Sequence, residues 1–280
     1  ADQPLVLVAV VGTGGSSYST AGHLVLVGDD GHAAGIISGG CLEGDLADRA
    51  AAVLADGDAA FVDYDLRDDD EVFGLGVGCD GTMRLLLQPL TAANRYAPLG
   101  SIVAAFENNA WVDAPFRTGD DMRTIDIRVY RPLNLLILGA GPDIGPLLGI
   151  VDALGWDASV SDHRQHYVDR LGPGVAECRP AAAVADEIDL DRFDAAIVMS
   201  HHLASDRSYL GVLAATDMPF IGLLGPPRRR ERLLEELGDA AAGLGNRLRS
   251  PVGVKIGGRG PAAIALEIAA ELQAFFAARD

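Results

Sequence analysis

Residues 133–145 read LNLLILGAGPDIG, and this stretch decides the fold. The apolar run Leu133–Leu138 suits a strand buried on both faces, and it stops at Gly139-Ala140-Gly141. The apolar Leu147–Leu154 follows Pro146 and ends at Gly155, which predicts a helix opening directly behind the glycine turn. A short strand, Ala158–Ser161, then ends at Asp162, about 20 residues beyond the turn. Strand, glycine turn, helix, strand and terminal acid is the layout of a dinucleotide-binding βαβ unit. Its glycines let the backbone approach a pyrophosphate, and the helix N-terminus supplies amide donors and the positive end of a dipole. Gly139, Gly141 and Gly145 are the candidate phosphate-loop residues, and Asp162 is the candidate acceptor for a ribose diol. The spacing is GxGxxxG, one residue longer than the usual fingerprint, and Pro142 removes an amide from the loop. Arg164 is suited either to pair with Asp162 or to meet a 2′-phosphate, which leaves NAD and NADP both open. A Rossmann scaffold that binds no nucleotide is the alternative.

Working outward, Ala195–Met199 and Phe220–Leu224 read as two more buried strands, and Arg228–Leu237 and Ile264–Phe276 as helices. Strands alternating with helices imply a parallel, doubly wound sheet. Ser200-His201-His202 follows a strand end, where ligands sit in such sheets. His201 is therefore a ligand candidate, against the plainer reading of a structural hydrogen-bonder. Arg228-Arg229-Arg230 opens a helix at the positive end of its dipole. Either Arg228 and its neighbours bind an anion, or they form a solvated stretch paired with Glu231, Glu235 and Glu236.

Upstream, Leu5–Val11 reads as a strand, followed by a small-residue loop, Gly12–Gly22. Leu24–Val27 and Ala34–Ile37 flank Gly28-Asp29-Asp30-Gly31 as a hairpin. After Ser38-Gly39-Gly40-Cys41, residues Leu42, Leu46, Ala50, Val53 and Leu54 recur at helical spacing up to Gly57. Ala60–Tyr64 and Met83–Leu87 read as strands on either side of a glycine-rich loop holding Cys79. Residues 91–131 read as a connecting region with room for extra strands. The expected organisation is a smaller α/β N-terminal domain (1–90), that connection (91–131) and a C-terminal Rossmann-type doubly wound parallel sheet (132–280). The chain opens directly on its first strand candidate, with no signal peptide read and room for a natural N-terminal piece ahead of it.

The 280 residues are 49% hydrophobic and include 34 glycines, ample for two glycine-shaped α/β cores. A net charge of −18 argues against nucleic acid and against an anionic membrane surface as partners. Three cysteines at long spacings suit neither a disulfide scaffold nor structural zinc, and point to the cytoplasm. Cys41 falls at or near a helix N-terminus, which stabilises a thiolate, while Glu43 and Asp45 oppose it. Such a thiolate attacks, carries a persulfide or binds a soft metal. Cys79 offers the same chemistry from its loop, and for both the alternative is a small buried apolar residue. Gly14–Gly22 is either an anion nest or a surface turn.

These motifs carry a resemblance. Gly15-Ser16-Ser17-Tyr18, Ser38-Gly39-Gly40-Cys41-Leu42-Glu43-Gly44-Asp45, Tyr64-Asp65-Leu66 and Gly74-Leu75-Gly76-Val77-Gly78-Cys79 resemble the first domain of the XdhC/CoxI family. Gly139-Ala140-Gly141-Pro142-Asp143, Ser161-Asp162-His163-Arg164, Gly222-Leu223-Leu224-Gly225-Pro226 and Ser250-Pro251-Val252-Gly253 resemble its Rossmann-type second domain. The resemblance implies an accessory factor for molybdenum hydroxylases of the xanthine or carbon monoxide dehydrogenase type. Such a factor is a cofactor chaperone more than a turnover enzyme. It binds the molybdenum cofactor (molybdopterin), supports its sulfuration by a cysteine desulfurase and delivers it to the apoenzyme, and it pairs as a homodimer. Carried onto this chain, the cofactor or sulfur site involves Cys41 and Cys79, with Glu43 beside them, and the nucleotide site involves Gly139, Gly141 and Asp162. Lys255 departs from the pattern, standing where the family usually has an acidic residue. Two other readings remain: an NAD(P)-dependent oxidoreductase using His201, His202 or Cys41 as acid or base, and a non-catalytic nucleotide-binding scaffold.

Overall fold

Leu5–Gly15 forms strand β1 and runs through the middle of a five-stranded antiparallel sheet, which is why its apolar residues are continuous and not alternating. The computed structural model describes residues 4–66, 81–108, 110–118 and 123–279. The chain divides into two compact units, Ala1–Arg131 and Pro132–Asp280. In the first, β2 (Leu24–Gly28), β3 (Ala33–Ala34), helix α1 (Glu43–Asp56), β4 (Ala60–Asp65) and β5 (Gly81–Leu90) follow β1, and the sheet order is β3-β2-β1-β5-β4. Val6, Val8 and Val10 of β1 face Leu46, Ala50 and Val53 of α1, whose i, i+4, i+7 spacing is one helical stripe. Gly57 ends α1 in a left-handed conformation, its amide donating to the Val53 carbonyl.

Leu7 and Ala9 point to the opposite face of the sheet. That face is covered from residues 91–131, which hold α2 (Leu99–Glu107) and a hairpin of β6 (Val112–Thr118) and β7 (Arg123–Val129). Ile102, Ala114, Phe116, Ile127 and Val129 pack there, so this stretch completes the core of the first unit.

The second unit is a six-stranded parallel sheet. Its elements are β8 (Asn134–Leu138), α3 (Gly145–Ala153), β9 (Asp157–Asp162), α4 (Gln165–Leu171), β10 (Ala176–Cys178), α5 (Val184–Glu187) and β11 (Ala195–Val198). They continue with α6 (Leu203–Ala214), β12 (Phe220–Leu223), α7 (Pro227–Leu237), β13 (Leu248–Arg249) and α8 (Pro261–Ala277). The order β10-β9-β8-β11-β12-β13 is the doubly wound Rossmann arrangement, and the chain reverses direction between β8 and β11. Leu147, Val151, Ala265, Ile268 and Leu272 of α3 and α8 cover one face, and Tyr209, Leu210, Leu213 and Leu233 of α6 and α7 cover the other. Both faces are thus buried, and the unbroken apolar runs of β8, β11 and β12 follow from that. Among the described residues no helix is long and apolar enough to cross a membrane.

Candidate functional site

In the first unit the turn before α1 is built around Ser38. Its hydroxyl, almost fully buried, accepts from the amides of Cys41 (3.1 Å) and Leu42 (2.9 Å) and donates to Glu43 Oε2 (2.6 Å). Glu43 also receives the Ser38 amide at 3.0 Å and the Leu42 amide at 3.1 Å. Burial pushes the Glu43 carboxyl up, but the bonds from Ser38, from its own amide and from Leu42 prevail and hold it below the usual range. Glu43 is therefore an ionised clamp on the turn. Cys41 sits half-buried two residues ahead of the first helical residue, its amide fixed by Ser38, and it forms no disulfide.

The glycines around Cys41 have different reasons. Gly40 stands at φ +108, where only glycine is relaxed. Gly39 and Gly44 lie outside the left-handed region, and a Cβ on either would meet nothing within 4 Å. Among the described residues nothing in the packing requires glycine at those two positions, and together they leave open space beside the turn. Asp45 ties the turn to the sheet: it accepts from Tyr64 of β4 and from Arg49, each at 2.6 Å. Burial raises the Asp45 carboxyl, and these two bonds outweigh it. Burial, and then the neighbouring Asp45, push the Tyr64 hydroxyl well up, so Tyr64 acts as a donor. Tyr64→Phe should lower the stability of the first unit by about 1 kcal/mol, below the usual value for a charged acceptor because Asp45 is partly solvated. Urea unfolding at constant m-value checks this, and an unchanged midpoint would show that the bond is not used. Ser19 reaches the same region, its hydroxyl donating to the Ile37 carbonyl at 2.8 Å.

In the second unit the C-terminal ends of β8 and β11 meet at the point of strand reversal. Gly139 stands at φ +137, and its missing Cβ would lie 2.5 Å from the Met199 carbonyl carbon. The amide of Ala140 donates to Asp162 Oδ2 at 2.7 Å. Asp162 is fully buried and also receives the Arg164 amide (2.9 Å), Arg164 Nε (2.9 Å) and Arg164 Nη2 (2.7 Å). Arg164 Nη2 further donates to the Ser200 carbonyl at 2.9 Å, and its guanidinium lies 4.3 Å from the Tyr167 ring centre. Burial raises the Asp162 carboxyl, and the Arg164 and amide bonds reverse that, leaving it below its ordinary value.

Over Gly141 sits the Asp143 carboxylate, with Oδ1 at 2.7 Å from where a Cβ would be. Its Oδ2 is 2.8 Å from His201 Nε2. The bond to His201 holds Asp143 low, and the same bond raises His201. His201 is half-exposed and adopts φ +58, a strained conformation for a residue with a side chain. Behind it, the buried Asp206 accepts from the Ser200 hydroxyl and from Arg229 Nη2 at 2.6 Å. His202 caps α6, and the Ser205 hydroxyl lies 2.9 Å from His202 Nδ1 and 3.2 Å from His163 Nδ1.

Comparison with known proteins gives two family matches, "XdhC Rossmann domain" over residues 135–272 and "XdhC and CoxI family" over residues 1–65. The chain belongs to the XdhC/CoxI family. It is 29% identical to a probable xanthine dehydrogenase subunit from Bacillus subtilis (strain 168), over 95% of this chain and 92% of the relative. It is 25% identical to the molybdenum cofactor insertion chaperone PaoD of Escherichia coli (strain K12), over 95% and 82% respectively. A crystal structure of a xanthine dehydrogenase from Bacillus halodurans superposes with a TM-score of 0.84 at 26% identity, over 100% of this chain and 94% of that one.

Within this XdhC/CoxI chain the candidate residues fall into separate groups. Cys41 and Glu43 share the Ser38 turn, while Cys79 lies outside the described residues. Gly139, Gly141, Asp162, Arg164 and His201 converge at the strand reversal. Gly145 opens α3 with nothing within 4 Å of its would-be Cβ. Arg228 is exposed on the first turn of α7, and its neighbour Arg229 is the one drawn inward, to Asp206. Among the described residues no group of three or more His, Cys, Asp or Glu is placed to hold a metal. Asp206, noted in the sequence beside the histidine pair, bonds Ser200 and Arg229 instead, and the residues missed in the sequence are Asp143 as the partner of His201, and Ser38 and Tyr64 as the frame of the cysteine turn. The motif SGGCLEGD carries no standard capping signal for Ser38, because Glu43 lies five residues on and not three, and the N-cap of α1 is Leu42.

Proposed function

We propose that this chain is a maturation factor for molybdenum hydroxylases: it holds the molybdenum cofactor beside Cys41, supports its sulfuration and passes it to the apoenzyme. The observation that carries this reading is the Ser38–Glu43 turn, which presents Cys41 next to open space in a chain whose relatives include a molybdenum cofactor insertion chaperone. The residues fit such a group. A thiol is a soft donor suited to a thiolate-ligated metal or to carrying sulfur, and Gly39 and Gly44 leave room for a flat, bulky molecule to approach it. When bound, the cofactor supplies the oxygen-transfer and redox chemistry of the client; this chain's part is to bind, orient and release it. Ser38 and Glu43 hold the backbone at Cys41, and Asp45 with Tyr64 anchors the start of α1 to the sheet. A cysteine desulfurase is the natural source of a sulfur atom for Cys41, and the apoenzyme is the recipient.

Cys41→Ala should reduce molybdopterin retained by the purified protein at least tenfold, read by mass spectrometry and absorbance after expression beside the cofactor pathway. The melting temperature should stay within about 2 °C, because only the Cys41 backbone is used in the turn. Undiminished pterin in the Cys41→Ala protein would remove Cys41 from the site.

A further inference from the structure

The glycine turn of the second unit has the topology of a dinucleotide site, but the amide after its first glycine is already bonded and the residue after its second is proline. Pyrophosphate binding at such a turn needs backbone amides facing the ligand, a free carboxylate at the end of the second strand for the ribose, and a third glycine for close helix packing. Here the Ala140 amide is given to Asp162 and Pro142 has no amide, while the Asp143 side chain itself sits over the turn. Asp162 is fully buried with both oxygens occupied, three of its four hydrogen bonds coming from Arg164. Gly145 is not closely packed.

We infer that this crevice is filled from within, so that the Rossmann unit takes neither NAD nor NADP. The Asp143 carboxylate occupies the space the second glycine leaves for a pyrophosphate, at the N-terminal end of α3 where a negative charge is favoured. His201 pins it there at 2.8 Å. Arg164 stands over Asp162, where a ribose diol would have to reach, and its Nε and Nη2 are committed to Asp162 and the Ser200 carbonyl, so no two-pronged edge is left for a 2′-phosphate and only Nη1 is uncommitted. An incoming pyrophosphate would face the Asp143 carboxylate over Gly141, beside a proline that has no amide to donate. The strained His201 backbone is then the cost of holding this internal anion, not a sign of a nucleotide site.

The test is calorimetric titration of the full chain with NAD+, NADH, NADP+ and NADPH, together with NADH fluorescence. No saturable signal is expected up to about 1 mM, the weak end of measurable affinity. Asp143→Gly, checked as folded by circular dichroism, should gain at least tenfold in affinity for inorganic pyrophosphate over the unmodified chain. Asp143→Asn, which removes the charge and keeps the bulk, should gain less. Micromolar binding of any of the four dinucleotides by the unmodified chain would overturn the inference. So would a folded Asp143→Gly protein that binds pyrophosphate no better than the unmodified one.

Discussion

Arg164→Met is expected to destabilise the second unit by about 3–5 kcal/mol at neutral pH, because it strands a fully buried carboxylate. Asp162 would keep the amides of Ala140 and residue 164, and the His163 ring nitrogen at 3.4 Å. The pH dependence separates charge from packing. In the unmodified chain Asp162 is held below its ordinary 3.8, so its contribution is fully present above that value and is lost as pH falls through the lower native value. Without Arg164, burial dominates and the native carboxyl rises above the unfolded one. The deficit of the variant should therefore grow as pH rises through that raised value, and shrink as pH falls toward about 4. Urea unfolding read through Trp156, in a Trp111→Phe background, measures it. A deficit of the same size at every pH would mean that Arg164 acts by stacking on Tyr167 and not by charge. Arg164→Lys, which keeps the charge and loses the two-pronged geometry, should fall between.

That pair also marks where sequence reasoning stops. The β8–α3–β9 unit is legible because each step leaves a one-dimensional trace: a strand covered on both faces, a turn that needs glycine, an acid at the next strand end. The first unit's hairpin and α1 are legible for the same reason, with Gly57 closing the helix. What Arg164 does is not, since pairing with Asp162 and meeting a phosphate use the same residue at the same position. Only the direction of its side chain decides. Helix α6 went unread because Ser205 and Asp206 interrupt its apolar stripe, and both are buried for hydrogen bonds whose partners lie on other elements. Strands β10 and β13 are three and two residues long and take their identity from their neighbours in the sheet. At the cysteine turn the helix and its motif were visible, whereas the Asp45–Tyr64 bond spans 19 residues and exists only in the fold.

The glycines of the turn give the second test of how the fold and the motif relate. Gly139→Ala should cost about 4 kcal/mol, or prevent folding, since it combines a left-handed strain with a backbone collision. The new Cβ would lie 2.5 Å from the Met199 carbonyl carbon and 2.6 Å from both the Met199 oxygen and the Ser200 nitrogen. No side chain can move aside, because the obstacle is the end of β11, fixed by the Met199 amide on the Leu138 carbonyl at 2.9 Å. The sheet itself would have to part at the strand reversal. Gly145→Ala is the control: outside the left-handed region, with open space around it, it should be neutral or gain about 0.5 kcal/mol. Soluble expression followed by urea unfolding distinguishes the two, and a Gly139→Ala protein of unchanged stability would show that the two strand ends do not approach this closely. The contrast explains how a nucleotide fingerprint persists where Asp143 fills the nucleotide's place. Gly139 is demanded by the close approach of the ends of two neighbouring parallel strands, whether or not anything binds above it.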